Sequence, residues 1–537
     1  MIEVVFTGNP PYAWAESDKV AFRGFVWDAN GSYWEGNAAA GLFSGSESQA
    51  DVQRRVRELN GAYSVVLRLP EGHVLACDAS GFFSLFYRKR RGGWLVSDDP
   101  MCLLDGNRAV KRNEAAAAEF LAAGYVTGNE TLAEGIYRIR PGEAVFLGKE
   151  LHAIPGEPFR FRPGSGRMSD FTEAMRLFGE LLERQSRLLV NSLQNRTAVV
   201  PLSGGYDSRL IACMLHKAGH QNVICVTYGR RNRETWMSEK VASGLGFPWI
   251  FVDYETIRPE GIPEDPLFRA YCRQAGGLGS MPYLQEYFTV RHLNENKLIP
   301  EDSIFLPGHP GDNLGGSFTG KGATGRVDPD ELPQHLVNTF FRFVPVGRNT
   351  AGKIAQRVSR LIRTGRTYTG DAVHGFIPEV ETWNFNERLP KFIFNSAKVF
   401  PFFGYAVRFP LWSNELAEFF AGLPYSFRQD KLLYNKVLEE KYFEPLQVSF
   451  GKREIMPGKG LRIPEPMKAM AWRFLPASLL QAKAAKNDWI CYTEFTRELA
   501  ADLSKHGIKP ISRYRSLNAL ICQWYLENAW DGGGPAI

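Results

Sequence analysis

Between residues 198 and 254 the chain alternates continuous apolar runs with helical periodicity, and no other stretch restricts the possible folds as much. AVVPL (198–202), NVICVTY (222–228) and WIFVDY (249–254) are too uniformly apolar for strands of a sheet with one wet face. Residues 209–217 and 236–245 separate them and carry apolar side chains at helical spacing. That order predicts a parallel sheet covered on both faces, because parallel neighbours need a helix-length crossover. A helical run at 171–193 leads into the unit, and SIFL (303–306) supplies a further strand. From residue 330 onward the spacing is mostly helical, as in 414–423 and 428–442. The expected class is α/β.

Before residue 155 the pattern is different. Runs 19–27, 61–69, 73–78, 82–87 and 93–97 are short, apolar or alternating, and bounded by Gly, Asn and Asp, which predicts an antiparallel, β-rich module. Helices are predicted over 48–59, ending at an Asn60-Gly61 turn, and over 114–123, stopped by Gly124. The segment PGEPFRFRPGSGRMS (155–169) has no helical periodicity and reads as a linker. With 537 residues, several times the roughly 100 to 200 of one domain, the chain divides into 1–154, the linker 155–169, and 170–537.

Composition narrows the partners. The balance of 64 basic and 58 acidic residues leaves only +6, and the run Arg88-Lys89-Arg90-Arg91 is expected in a solvated hairpin turn, so no nucleic-acid partner is expected. The cysteines are odd in number and never in a C-x-x-C pair, and the histidines form no H-E-x-x-H pattern, which argues against a disulfide framework and a zinc site. No apolar stretch has membrane length, and the start, Met1-Ile2-Glu3-Val4-Val5-Phe6, has no basic region or cleavage site. A cytoplasmic protein with no membrane insertion is the expectation.

The strongest chemical signal is Pro201-Leu202-Ser203-Gly204-Gly205-Tyr206-Asp207-Ser208-Arg209, which joins a strand directly to a helix. Ligands of open α/β sheets bind at the carboxyl ends of strands, and a helix N-terminus offers N–H groups to an anion. Gly204 and Gly205 let the backbone wrap a phosphate, Ser203 and Ser208 can donate hydroxyl hydrogen bonds, and Asp207 can hold Mg²⁺ against phosphate oxygens. A plain βα turn with a capping Asp or Ser is the competing reading. A second stretch, Gly315-Gly316-Ser317-Phe318-Thr319-Gly320-Lys321, follows a Walker A pattern until Gly322 stands where Ser or Thr is needed, and it reads as a loop.

Ser203-Gly204-Gly205-Tyr206-Asp207-Ser208 resembles the S-G-G-x-D-S loop of the ATP pyrophosphatases, and its context is similar to the asparagine synthetase family. That resemblance implies an Ntn-hydrolase-like N-terminal domain and an ATP-pyrophosphatase (adenine nucleotide alpha hydrolase-like) domain with a helical C-terminal part. It implies ATP cleavage between the α- and β-phosphates and an acyl-adenylate. The family's second motif, G-x-G-x-D, has its nearest match in Gly308-His309-Pro310-Gly311-Asp312, with Pro310 where the second Gly belongs. Alone, that stretch reads equally as a loop.

The N-terminal module, through Asn60-Gly61-Ala62-Tyr63 and residues 77–87, is similar to the glutaminase-like half of the same proteins. Where glutamine-dependent members carry a cysteine after the initiator Met, this chain has Ile2, and it lacks the N-G-E-x-Y-N pattern. The resemblance therefore implies a remnant domain, as in β-lactam synthetases and some lasso-peptide cyclases, with any ammonia coming free or from a separate glutaminase. Gly124 to Leu132, Ser97-Asp98-Asp99 and Phe402-Phe403-Gly404-Tyr405 are similar to asparagine synthetase-like proteins of bacterial O-antigen and capsule pathways, which implies a uronic or sugar-linked acid as substrate.

The roles implied are these. Leu202 and Thr227-Tyr228-Gly229 hold adenosine; Ser203, Gly204, Gly205, Ser208 and Gly308 face the phosphates; Asp207 and Asp312 hold Mg²⁺. Lys452, with Lys459 behind it, is the nearest match to a late lysine that stabilises transition-state charge, a surface lysine being the alternative. His309 is a candidate base for the incoming amine, expected to titrate near pH 7 without a large shift, or else a residue that only packs its loop. An amide-forming ligase is the leading expectation, with an intramolecular cyclase and a non-catalytic nucleotide-binding scaffold as alternatives.

Overall fold

A computed structural model describes residues 1–8, 10–104, 110–149, 152–157, 159, 161, 168–319, 328–365, 375–450 and 488–528. The strands are β1 (Ile2–Val5), β2 (Ala15–Glu16), β3 (Val20–Trp27), β4 (Tyr33–Glu35), β5 (Asn60–Leu69), β6 (Gly72–Cys77), β7 (Phe86–Arg90), β8 (Gly93–Ser97), β9 (Ile136–Arg138), β10 (Ala144–Gly148) and β11 (Ala153–Ile154) in the first part. In the second part they are β12 (Ala198–Pro201), β13 (Val223–Gly229), β14 (Trp249–Asp253), β15 (Ile304–Phe305) and β16 (Ala406–Val407).

The first eleven strands form two stacked sheets. One runs β11-β10-β6-β5-β3-β2, with β4 on β3, and is antiparallel; the other runs β1-β8-β7-β9, with β1 parallel to β8. Strand alternation builds the layers. Val20, Phe22, Val65, Leu67, Val74 and Ala76 pack under helices α1 (Gly36–Gly41) and α2 (Gln49–Glu58). Their neighbours Ala21, Val66, Leu75 and Cys77 face the second sheet, where Tyr87, Trp94 and Val96 meet them. Helix α3 (Glu114–Ala123) is capped by the Asn113 side chain and stopped by Gly124 at φ 81°, as its sequence predicts.

Two expectations for this part fail and a third holds only in part. The Asn60-Gly61 pair is no turn: it opens β5 opposite Trp27 and Val26. A Cβ on Gly61 would lie 2.3 Å from the Phe25 carbonyl oxygen, so glycine is needed there for close strand approach. Residues 82–85 are not strand, because Phe82 and Phe83 are buried as wedges and Phe82 packs edge-on to Phe409, 5.2 Å away. Of the basic run, Arg88 to Arg90 lie on β7 and only Arg91 in the hairpin turn: Arg88 donates to the Leu103 carbonyl (2.8 Å) and Arg90 pairs with Glu3.

Helix α4 (Phe171–Leu193), capped by Asp170, opens the second part. Its five strands are all parallel, in the order β14-β13-β12-β15-β16. Helices α5 (Tyr206–Lys217) and α6 (Arg233–Gly244) make the crossovers. Strand order reverses at β12, so the chain leaving β12 enters the crevice where such sheets bind ligands. Predicted helix 428–442 is broken in three, because Asp430 and Lys431 take positive φ and the last turn is a π-helix.

The two parts share a seam. The Tyr12 hydroxyl donates to the Val407 carbonyl (2.9 Å) and accepts from the Val407 nitrogen (2.8 Å) and from Arg408 (2.9 Å). The Asn60 amide oxygen accepts from the Asn414 nitrogen (2.8 Å) at the start of helix Asn414–Gly422, and its NH₂ donates to Glu415.

Candidate nucleotide site

Apolar β12 ends at Pro201, and the turn Leu202–Gly205 delivers the chain into α5 with Gly205 at the cap and no side chain closing the helix end. Its first-turn N–H groups therefore face outward with the positive end of the helix dipole. Ser203 and Ser208 hold the turn in shape: the Ser203 nitrogen donates to Ser208 Oγ (3.0 Å), the two hydroxyls lie 3.1 Å apart, and the Gly205 nitrogen donates to Ser203 Oγ (3.2 Å). Ser203 and Gly205 are exposed, while Leu202 and Ser208 are buried. The arrangement is an open, backbone-lined cradle suited to an oxyanion.

The second loop closes on the first. A Cβ on Gly308 would sit 3.0 Å from Asp207 Cβ, and one on Gly311 would sit 2.4 Å from the Tyr434 hydroxyl and 2.8 Å from Asp207 Cγ. Glycine at both positions lets Asp312 come to Asp207. The Asp312 nitrogen donates to Asp207 Oδ2 (2.9 Å), the Tyr434 hydroxyl donates to Asp207 Oδ1 (2.8 Å), and Asp312 Oδ1 accepts from Asn313 (2.9 Å). Burial, and next the neighbouring Asp312 carboxylate, raise the Asp207 carboxyl to about 7. Two carboxylates this close favour a shared proton or a cation.

Thr227, Tyr228 and Gly229 reach the same sheet end, but their side chains are engaged inside the protein. Thr227 Oγ1 donates to the Leu202 carbonyl (2.8 Å) and accepts from Trp249 Nε1 (2.9 Å). The Tyr228 hydroxyl donates to Glu286 (2.8 Å) and accepts from Gln285 (2.9 Å), and its ring stacks on Trp489. Gly229 at φ 104° lies under Trp489. The side chains of Thr227 and Tyr228 are thus engaged within the protein, Thr227 bracing the loop at Leu202 and Tyr228 buried, which leaves the backbone of the strand end as the part that could meet adenosine.

His309 lies beside the pair with Nε2 3.1 Å from Ser396 Oγ. Burial lowers it to about 4. The ring is neutral at pH 7, but burial shifts it where no large shift was expected, and its hydrogen bond to Ser396 suits a positioning role. Lys452 and Lys459 lie outside the described residues, as do Gly320 to Gly322; Gly315 and Gly316 end a short helix, Gly311–Gly315, rather than follow a strand.

Sequence reasoning missed Tyr434, Arg209 and Ser396. Arg209 is fully buried, donates to the Gly204 carbonyl (2.9 Å) and to Val448 (3.2 Å), and lies over the rings of Tyr206, Phe443 and Phe450. It thereby fixes the glycine turn from behind. Its adjacency to the S-G-G-x-D-S stretch was the available signal; Tyr434 and Ser396 are tertiary neighbours with no local mark.

Among the described residues no group of three or more His, Cys, Asp or Glu could hold a metal by itself. Two carboxylates beside a phosphate cradle fit Mg²⁺, which usually takes one or two protein carboxylates and completes its shell with phosphate oxygens and water. Asp207 and Asp312 are therefore the residues that would hold it.

No protein-family model matches the chain. Local likeness is found to the tRNA-specific 2-thiouridylase MnmA of Ehrlichia ruminantium (strain Welgevonden), 37% identical over 83 residues, covering 13% of this chain and 22% of the relative. The MnmA of Rickettsia africae is 31% identical over 126 residues, covering 19% and 33%. The chain thus spans about a fifth to a third of the length of these curated relatives. Among solved structures, the U34-tRNA thiolase NcsA from Methanococcus maripaludis aligns at TM-score 0.20 and 14% identity, over 45% of this chain and 84% of that one. Glutamine PRPP amidotransferase from B. subtilis aligns at TM-score 0.19 and 13% identity, over 56% and 64%. No helix among the described residues is long and apolar enough to cross a membrane.

Proposed function

We propose that the chain is an AMP-forming, ATP-dependent amide ligase of the asparagine synthetase type. The observation that carries the reading is the docking of loop 308–312 onto the glycine turn, with the Asp312 N–H bonded to the Asp207 carboxylate. In this reading the turn 202–208 cradles the β- and γ-phosphates of ATP and orients the α-phosphorus toward the cleft. A substrate carboxylate oxygen attacks that phosphorus, the α–β P–O bond breaks, and pyrophosphate leaves. An amine or ammonia then attacks the acyl carbon, AMP leaves, and the amine proton passes to solvent or a nearby base. Bound at Asp207 and Asp312, Mg²⁺ would supply positive charge to offset that developing on the departing pyrophosphate. A uronic or sugar-linked acid as substrate and a cytoplasmic setting belong to the same proposal. So does a division of the chain at 155–169 into a remnant Ntn-type domain and a ligase domain.

The likeness to 2-thiouridylases favours one other reading, sulfur transfer to RNA after adenylation. Against it stands the state of the cysteines: six are buried and only Cys102 is exposed. Burial raises Cys213 and Cys225, on α5 and β13, to about 12, far from the thiolate such chemistry needs. ATP–pyrophosphate exchange measured with a panel of carboxylic acids, and separately with bulk tRNA, tests the choice. Acid-dependent exchange is expected; exchange that requires tRNA and ignores every acid would replace the ligase with the thiolase reading. Glutamate release from glutamine should stay at the heat-killed background, leaving ammonia to be free or delivered by a partner glutaminase.

A further inference from the structure

Two cations meet across the seam with no anion between them. Among the described residues four arginines are buried, and three of them are matched. Arg428 pairs with Glu381, Arg408 bonds Tyr12 and the Val407 carbonyl, and Arg209 is held by two carbonyls and three aromatic rings. The fourth, Arg138 at the end of β9, donates from Nη2 to the Gly81 carbonyl (2.9 Å), while its Nε is buried without an acceptor. It has neither an ion pair nor a ring beneath it among the described residues. Lys398, in the second part of the chain, is in the same state. Buried Lys391 donates to Glu387 (2.6 Å) and the Gly128 carbonyl (2.7 Å), whereas half-buried Lys398 donates to no described residue.

Strand register brings the two cations to one place. Arg138 stands opposite Phe86 on β7, and Phe86 stands opposite Ser97 on β8, so the three side chains form one row on one face of the sheet. That face meets the end of helix Pro266–Gly276. A Cβ on the next residue, Gly277, would lie 3.7 Å from the tip of the Phe86 ring and 3.9 Å from Lys398 Nζ. The ammonium of the second part thus sits at the tip of the ring that flanks the guanidinium of the first. Burial, then Arg138 and Arg23, pull Lys398 down to about 7 against the pull of Asp99, and burial pulls Arg138 down to about 10. The acids nearby are already committed. Asp98 pairs with Arg23 (2.6 Å), Glu387 pairs with Lys391, and Asp99 caps the turn Pro100–Leu103 through the Met101 nitrogen (2.9 Å). Two desolvated cations without a partner cost stability unless a ligand supplies the missing charge.

We propose that Arg138 and Lys398 form an oxyanion site that bridges the two parts of the chain and takes a small phosphate or carboxylate. A guanidinium offers paired N–H groups to two oxygens of such a ligand, and an ammonium adds a point charge to one of them. The bound anion ties β9 to residues 394–402 across the seam, whatever occupies the glycine turn.

The test titrates phosphate, and separately acetate, into the purified full chain at constant ionic strength in chloride, with binding read by calorimetry. At least one should bind, and the comparison tells which oxyanion the site prefers. Lys398→Met and Arg138→Met should each weaken that binding about 10-fold or more, since each removes a charge-assisted hydrogen bond. Saturation with Mg²⁺ and a non-hydrolysable ATP analogue should leave it unchanged. Thermal unfolding adds an independent readout. In chloride alone Lys398→Met should unfold at or above the midpoint of the unaltered protein, because an unmatched charge is gone, and the bound anion should reverse that order. No binding of either anion by the unaltered protein overturns the assignment. So does binding that survives in Lys398→Met or is displaced by the analogue, which belongs to another site, and so does a Lys398→Met chain that is less stable in chloride alone, which makes the lysine a structural residue.

Discussion

The Glu119–Arg357 pair at the seam between the two parts and the Asp207–Asp312 pair at the carboxyl end of the parallel sheet both bury charge, but they treat it in opposite ways. At the seam Glu119, fully buried, meets its complement: it accepts from Arg357 (2.8 Å) and from the Thr127 nitrogen (3.0 Å) and hydroxyl. At the sheet end the buried Asp207 carboxylate lies in the field of a second carboxylate, Asp312, with no cation paired to it. The Glu119–Arg357 pair has the electrostatics of a finished structure. The sheet end has those expected of a binding site, where a group is held at a cost until a ligand completes it.

The largest effect expected is at the seam. Glu119→Ala leaves Arg357 buried without its main partner and should cost about 3 to 5 kcal/mol of stability, read by denaturant unfolding, while the folded fraction keeps its turnover per molecule. Loss of turnover in fully folded protein would mean that the seam is part of the site. At the sheet end the pattern should invert. Asp207→Ala and Asp312→Ala should each lower AMP formation by roughly 100-fold or more, with circular dichroism unchanged, since each removes a ligand from the pair. Near-normal AMP formation by either variant takes that aspartate out of the site.

Tyr434→Phe sharpens the comparison. It deletes only the hydroxyl that donates to Asp207, so AMP formation should fall roughly 5-fold, the worth of about 1 kcal/mol. An effect as large as that of Asp207→Ala would give the hydroxyl a role beyond orientation.

How much of this was legible depends on the range of the interactions. The β12 turn and the crossovers are local patterns, and continuous apolar runs with two glycines and two serines between strand and helix announced them. Asn60-Gly61 misled because a glycine demanded by a neighbouring strand looks the same in sequence as one demanded by a turn. Tyr434 is 227 residues from Asp207, and His309 looked like a titrating base because its burial is a tertiary fact. The resemblance to asparagine synthetases supplied the pairing of Asp207 with Asp312 as an expectation that spacing alone could not give.

The smallest effect is in pH dependence without ligands. Asp207 is raised from 3.8 to about 7 in the fold, so between those values the folded chain holds a proton that the unfolded chain has released. Its contribution to stability is full below about pH 4 and is lost as pH rises to 7. Asp207→Asn should flatten that part of the stability profile and should not destabilise the ligand-free chain at neutral pH. A steeper decline in the variant would show that Asp207 is already ionised and favourably paired. Because burial holds His309 near 4, His309→Asn should leave the pH profile of amide formation without a missing limb between pH 6 and 8.

The central claim is that the glycine turn and the Asp207–Asp312 pair direct ATP cleavage between the α- and β-phosphates. The most direct measurement is the product stoichiometry from ATP and Mg²⁺ with the acid panel and hydroxylamine as a general amine. Equal amounts of AMP, pyrophosphate and hydroxamate, all abolished in Asp312→Ala, are expected. ADP with orthophosphate, or AMP that persists in Asp312→Ala, would contradict it.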